Sequence, residues 1–131
     1  MTKKISNNKR SMDALREAGW ECDIVERWIP HTFITKDLFG FADILAMHHR
    51  AGFLAVQTTS FANMNARMKK IKEESRATLF LMAGGRIVVH GWKKNGKRSD
   101  APGQWVCKRA YYELPKARSN KPNKATGKWK E

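Results

Sequence analysis

Two strand-length apolar runs joined by a short polar turn, then a helix-like segment and a third apolar run, set the tightest limit on how this chain can fold. The first run is Phe41–Met47 (FADILAM) and the second is Gly52–Thr59 (GFLAVQTT). HHRAG between them is polar apart from one alanine and closes on a glycine, which predicts a hairpin. Strand side chains alternate between faces, so Asp43 and Leu45 share one side while Ala42 and Ile44 take the other. On the next strand Gln57 and Thr59 share a face, opposite Val56 and Thr58. Pairing through the turn then sets Asp43 beside Gln57.

The flanking segments complete the pattern. Ser60 is a candidate N-cap for a helix with Asn63, Arg67, Lys70 and Glu74 on one face and Met64, Met68 and Ile71 on another. Thr78–Met82 fits either a further helical turn or a short strand, ended by Gly84-Gly85. Arg86–Trp92 reads as a strand centred on Ile87-Val88-Val89, GKRSDAPGQ as a loop, and Trp105–Leu114 as the last strand. Upstream, Met12, Ala14, Leu15 and Ala18 recur at helical spacing over Ser11–Ala18, and Gly19 stops the helix. Trp20 to Ile29 alternates through Trp20, Cys22, Ile24 and Trp28 as one strand ended by Pro30. The expected architecture is α+β, a mixed central sheet between helices in three layers. A single domain is expected over residues 1–114, with 1–10 a basic arm and 115–131 a disordered basic tail.

Charge narrows the partners. The chain carries 26 Lys and Arg against 12 Asp and Glu, a formal net charge of +14, which draws phosphate backbones through counterion release. A membrane surface fits less well, because no segment sets a Lys/Arg face against a bulky apolar one. No apolar run approaches the roughly 20 residues of a membrane-spanning helix. MTKKISNNKRSMD lacks the apolar core of a secretory signal, so a cytoplasmic location is expected. Cys22 and Cys107 match no zinc spacing and read as small strand thiols.

Against that basic background, the only acidic residues between Glu26 and Glu73 are Asp37 and Asp43. A carboxylate beside the Gln57 amide oxygen suits hard Mg²⁺ (or Mn²⁺), which also takes phosphate oxygens. Gly40-Phe41-Ala42-Asp43-Ile44-Leu45-Ala46, followed about a hairpin later by Leu54-Ala55-Val56-Gln57-Thr58-Thr59, resembles the PD-(D/E)xK nuclease superfamily. Its small members include Holliday junction resolvases, and relatives abound in phages. The resemblance spans roughly residues 8 to 93 and implies a restriction-endonuclease-like αβββαβ core. It also implies a Mg²⁺-dependent endonuclease acting on DNA, branched structures included, as a homodimer (in the host cytoplasm if phage-encoded).

Under that resemblance Asp43 is the principal metal ligand, with help from Gln57 and the Thr58 carbonyl. Gln57 stands where the family has an acid and Thr59 where it has lysine. Some members supply the cation from the following helix, which makes Lys70, with Arg67 one turn earlier, the replacement. Asp37 replaces the missing acid if the loop through Leu38-Phe39-Gly40 carries it to the metal; Glu21 and Glu26 are more distant candidates. Lys3, Lys4, Lys9, Arg10, Lys69, Lys70, Lys124 and Lys128 are expected along the nucleic acid, and Trp129 is a candidate for base stacking. The alternative is a catalytically impaired nucleic-acid-binding protein on the same fold. A small basic RNA-binding protein explains the tails but not the isolated aspartates.

Plainer roles compete for the same residues. Asp43 also suits a turn at a strand start, Asp37 a cap, and Gln57 a backbone hydrogen bond. Arg67 and Lys70 suit a solvated helix face. His48 and His49 fit solvent or DNA contact rather than joint ligation, and His90 fits a packed, hydrogen-bonded position. Trp20, Trp28, Trp92 and Trp105 are expected as core or sheet-edge aromatics.

Overall fold

The structure is a computed structural model that describes residues 5–95 and 104–114. Lys3, Lys4, most of the GKRSDAPGQ loop, and the 115–131 segment with Lys124, Lys128 and Trp129 lie outside the described residues.

The first helix, α1, is Asn7–Glu17, opening four residues before the apolar periodicity begins. Ser6 supplies the start: its hydroxyl accepts from Lys9 N at 3.1 Å. The expected arm therefore ends sooner. Lys9 and Arg10 sit on the helix, Lys9 pairing with Asp13 at 3.0 Å and the Arg10 guanidinium lying 3.5 Å above the Trp105 ring. The helix stops at Gly19, whose φ of +95° suits a glycine, with Trp20 N donating to Leu15 O at 2.9 Å.

The strand expected over Trp20–Ile29 is in fact two elements. β1 covers only Glu21–Ile24. The N–H groups of Val25 and Glu26 then both turn to the Asp43 carbonyl, at 2.9 and 3.3 Å, and the chain leaves the sheet. It runs out through β2 (Arg27–Ile29) and returns through β3 (Ile34–Lys36), which pair only with each other. The apolar positions of residues 20–29 are thus split between two sheets, and of them only Cys22 is buried. Trp28, expected in a core or at a sheet edge, is 53% exposed on this hairpin.

β4 (Ile44–His48) and β5 (Gly52–Ser60) form the expected hairpin, in the register Ile44↔Val56 to His48↔Gly52. β4 starts three residues after Phe41, because Phe41 and Ala42 lie in the turn before it, buried. The His48 ring closes the HHRAG turn, its Nδ1 accepting from Arg50 N and Ala51 N at 3.1 and 3.4 Å. After β5, a single 3-10 turn over Phe61–Asn63 leads into α2 (Met64–Lys72), so Ser60 precedes the turn rather than the α-helix and makes no side-chain capping bond. The ambiguous Thr78–Met82 stretch is helical, part of α3 (Ser75–Met82), which the Glu74 carboxylate caps by accepting from Arg76 N. β6 (Arg86–Asn95) and β7 (Gln104–Tyr112) complete the chain.

The five-stranded sheet runs β1-β4-β5-β6-β7, antiparallel throughout except for the parallel pair β5–β6. A parallel neighbour needs a long crossover, and α2 and α3 provide it. One apolar cluster (Leu15, Cys22, Ile44, Ala46, Leu54, Val56, Val88) fills the α1 side, and a second (Phe41, Ala55, Met64, Ile71, Ala77, Ile87, Val89, Tyr112) fills the α2–α3 side. Alternate residues of β5 and β6 feed opposite clusters, so helices cover both faces of an α+β fold. Being central and covered twice, β5 buries six consecutive residues from Leu54 to Thr59, and its apolar part reads as an unbroken run. Among the described residues, no helix is long and apolar enough to cross a membrane.

Candidate metal centre

The last buried residues of β5 are Gln57, Thr58 and Thr59, all polar. Placing them inside requires partners, and Asp43 supplies one. Continuing the β4–β5 register one step beyond Ile44↔Val56 sets Asp43 opposite Gln57. Asp43 Oδ2 accepts from Gln57 Nε2 at 2.7 Å and from Thr58 N at 2.8 Å. Residue 43 and residue 57 converge as the hairpin phase predicts.

The loop 37–43 brings in a second carboxylate. Leu38 N donates to Ala42 O at 2.8 Å, and the chain reverses between them through Phe39 and Gly40 at φ of +54° and +79°. Gly40 suits its left-handed φ, and a Cβ there would sit 2.5 Å from a Glu74 carboxylate oxygen, so that side chain would have to shift. This reversal folds Asp37 back against Asp43. Glu26, fixed where β1 leaves the sheet, supplies a third carboxylate. Its Oε1 accepts from Asn8 Nδ2 at 2.8 Å, and Asn8 Oδ1 in turn accepts from the Thr58 hydroxyl.

Glu26, Asp37 and Asp43 thus each present an oxygen within 4.8 Å of the other two. They line a cleft of about 410 Å³ with Ser6, Asn7, Asn8, Thr35, Gln57, Thr58, Arg67 and Lys70. Burial, and then a hydrogen bond with the Asp37 carboxyl, push the Asp43 pKa up from 3.8 to about 8; the Thr58 N–H pulls the other way. The nearest compensating cation is Lys70, 3.8 Å from Asp37 and half exposed. Without a further positive charge, the cluster keeps a proton in its place.

The donors suit a hard divalent cation. Mg²⁺–O bonds of about 2.1 Å put neighbouring ligand oxygens roughly 3 to 4 Å apart, so the three carboxylates need only draw slightly inward. A buried atom without a partner points the same way: among the described residues Gln57 Oε1 has no hydrogen bond, although Gln57 is 2% exposed. Turning that amide would exchange its N–H donor for an oxygen ligand. Strand geometry directs the N–H and C=O of one residue to the same side, so the Thr58 carbonyl shares the Asp43 side with its N–H.

Of the candidate residues, Asp43, Gln57, Thr58, Asp37, Lys70 and Arg67 come together, and Glu26 joins them. Glu21 does not: it is exposed on β1 opposite Met47. Thr59 is buried beside Gly91 and is not part of the cleft lining. Lys69 is exposed on α2, outside the lining. Lys9 and Arg10 also stand outside it, although their neighbours Ser6 to Asn8 enter. Asn8 is the contributor that the sequence pattern hid. A run of cap-forming residues, Ser6-Asn7-Asn8, was its only trace.

His90 and Ser11 form a separate buried polar group. The Trp92 indole N–H donates to Ser11 Oγ at 2.8 Å, and Ser11 Oγ lies 2.8 Å from His90 Nδ1. Burial, aided by Arg109, lowers the His90 pKa to about 4, so the ring is neutral and structural. Comparison of the chain with protein-family models, with curated proteins and with solved structures found no match.

Proposed function

We propose that this protein is a metal-dependent endonuclease of the PD-(D/E)xK type, hydrolysing phosphodiester bonds in DNA with Mg²⁺ or Mn²⁺. One observation carries the reading: a chain of net charge +14 gathers three carboxylates from three separate segments into one polar cleft, with Arg67 and Lys70 in its lining. Mutual repulsion makes that grouping costly, and a divalent cation would offset it more fully than the proton held at Asp43. The element order α1-β1-β4-β5-α2-α3-β6, with β5 and β6 parallel, is consistent with the family's core once the β2–β3 hairpin is set aside as an insertion and α2 and α3 are taken together as the crossover.

In this reading Asp43, Asp37 and Glu26 hold the ion, and Gln57 joins after its amide turns. The ion, when bound, polarises a phosphoryl oxygen and makes water a stronger nucleophile near neutral pH. Asp43 must give up its proton for the ion to enter. Asn8 keeps Glu26 and Thr58 in place. Lys70, drawn from its loose contact with Asp37, and Arg67 meet the phosphate and the charge that builds on it. They take the part that a lysine at position 59 would otherwise have.

Cleavage of four-way junctions, flaps and linear DNA, assayed with Mg²⁺ or Mn²⁺, tests the proposal. Asp43→Ala should abolish cleavage and leave binding within a few-fold. The substitutions at Gln57 and Thr59 favour a second reading, a DNA-binding protein without activity on this fold. DNA binding by the wild type with no cleavage of any substrate and no cation uptake at the carboxylates would select it.

A further inference from the structure

We infer that the β2–β3 hairpin is a wedge that stacks on an unpaired base of DNA whose scissile phosphate lies in the carboxylate cleft. This rests on the nuclease reading for the cleft and adds which DNA it would take. The hairpin connects two members of the acidic cluster, with Glu26 immediately before β2 and Asp37 immediately after β3. Between them lie Arg27, His31 and Lys36 and no acid, and Arg27 and Lys36 face each other across the base. At the far end the apolar side chains point outward. Phe33 is 89% exposed, Trp28 53% and Ile34 52%, with Phe33 packed edge-on against Trp28 at 6.2 Å between ring centroids.

Three features set this apart from an ordinary surface loop. A two-stranded ribbon is marginal on its own, and this one leaves its largest apolar groups in solvent instead of burying them. His31 and Phe33 both adopt positive φ, at 67° and 55°, where L side chains are strained. Two strained residues around a solvent-exposed ring need a compensating contact. The charge on the ribbon selects its chemistry: cationic at the base, aromatic beyond it, and rooted in a cleft where Arg67 and Lys70 stand with the three carboxylates. Phosphates along the ribbon and a base face at its end match that sequence of groups.

The reach is set by the chain. Four residues from Asp37 to Phe33 span at most about 13 Å, roughly the rise of four stacked nucleotides. A fully paired duplex offers no free base face at that distance, whereas a fork, flap or junction does.

The test uses the full chain in EDTA, so that binding is read without cleavage. The probes are a forked oligonucleotide carrying 2-aminopurine at its first unpaired position and a fully paired duplex of equal length. The double variant Trp28→Ala/Phe33→Ala should bind the fork roughly 10-fold or more weaker, lose the fluorescence change, and bind the duplex within about 3-fold of wild type. Equal losses on fork and duplex, or none on either, would overturn the wedge. So would sedimentation showing that the variant only breaks a dimer, since the tip would then pack on a second copy. Manganese uptake at the carboxylates should be the same in both proteins. Fork preference that depends on the tip, in a protein that cleaves nothing, would keep the wedge and reject the nuclease; cleavage with unchanged preference in the variant would do the reverse.

Discussion

Replacing Asp43 by asparagine should make the metal-free protein more stable at alkaline pH. The introduced amide can still accept from Thr58 N and Gln57 Nε2 through its oxygen, and its NH₂ can donate toward Asp37, as a protonated Asp43 would. The wild-type carboxyl is raised from 3.8 to about 8 in the folded protein, chiefly by burial and then by Asp37. A raised acid binds more protons folded than unfolded between those two values. Its contribution to stability is therefore complete below about pH 4 and fades as pH climbs through 8. At about 1.4 kcal/mol per pKa unit the ceiling is roughly 6 kcal/mol. Water can enter an open cleft and weaken the burial that causes the shift, so about 2–3 kcal/mol is the expected difference. Urea unfolding in EDTA at intervals from pH 4 to 9 measures it. The two proteins should coincide near pH 4, and Asp43→Asn should become the more stable by pH 8. Mn²⁺ should then reverse the order at pH 8, stabilising the wild type alone. Curves for the two proteins that run parallel from pH 4 to 9 would show that no proton is held at Asp43, and a cation would then have no unmet charge to neutralise there.

Gln57→Glu adds a fourth carboxylate at the orphaned amide, so Mn²⁺ affinity measured by calorimetry should rise about 10-fold or more while metal-free stability falls; an unchanged affinity would give Gln57 a structural role only. Under the proposed nuclease reading, Lys70→Ala should lower the cleavage rate roughly 100-fold or more with metal affinity within a few-fold, measured by single-turnover kinetics, because its charge would meet the charge that builds on the phosphate. Ser11→Ala removes the hydroxyl that joins Trp92 to His90, which should cost about 1–3 kcal/mol of stability by chemical denaturation without altering metal uptake.

The hairpin from β4 to β5 was legible because its period, its turn glycine and its length agree, and Asp43 meets Gln57 as a direct consequence. Lys70 and Arg67 were legible as one helix face. Asp37 was a conditional expectation, since it depends on Phe39 adopting a left-handed conformation beside Gly40, which residue type alone does not dictate. Glu26 was placed on a continuous strand that does not exist. Alternation breaks at Val25 and Glu26, where β1 ends, and resumes in phase at Trp28 on a second ribbon, and a period of two does not say which sheet a residue joins. The start of α1 was missed for a related reason. Asn7 to Arg10 bury no apolar side chain, so the capping bond from Ser6, not periodicity, determines where the helix begins.

The two substitutions that set this chain apart from its resemblance have a common electrostatic consequence. An acid at position 57 and a lysine at 59 would put opposite charges two residues apart on one strand. Here that strand carries neither, and both charges come from elsewhere: carboxylates from Glu26 and Asp37, an ammonium from Lys70. The sum is similar, but the rigidity is not. β5 is buried on both faces, whereas Asp37 hangs on a loop and Lys70 is half exposed at 3.8 Å. A site whose charges ride on movable supports is completed only when substrate and ion arrive together. Metal affinity in such a protein should therefore be weak alone and rise when a phosphodiester lies in the cleft. Calorimetric titration of Mn²⁺ with and without an uncleavable phosphorothioate-linked fork reads that coupling directly. Equal affinities in the two titrations would mean that the cation site is complete without DNA, contrary to the open arrangement of Asp37 and Lys70.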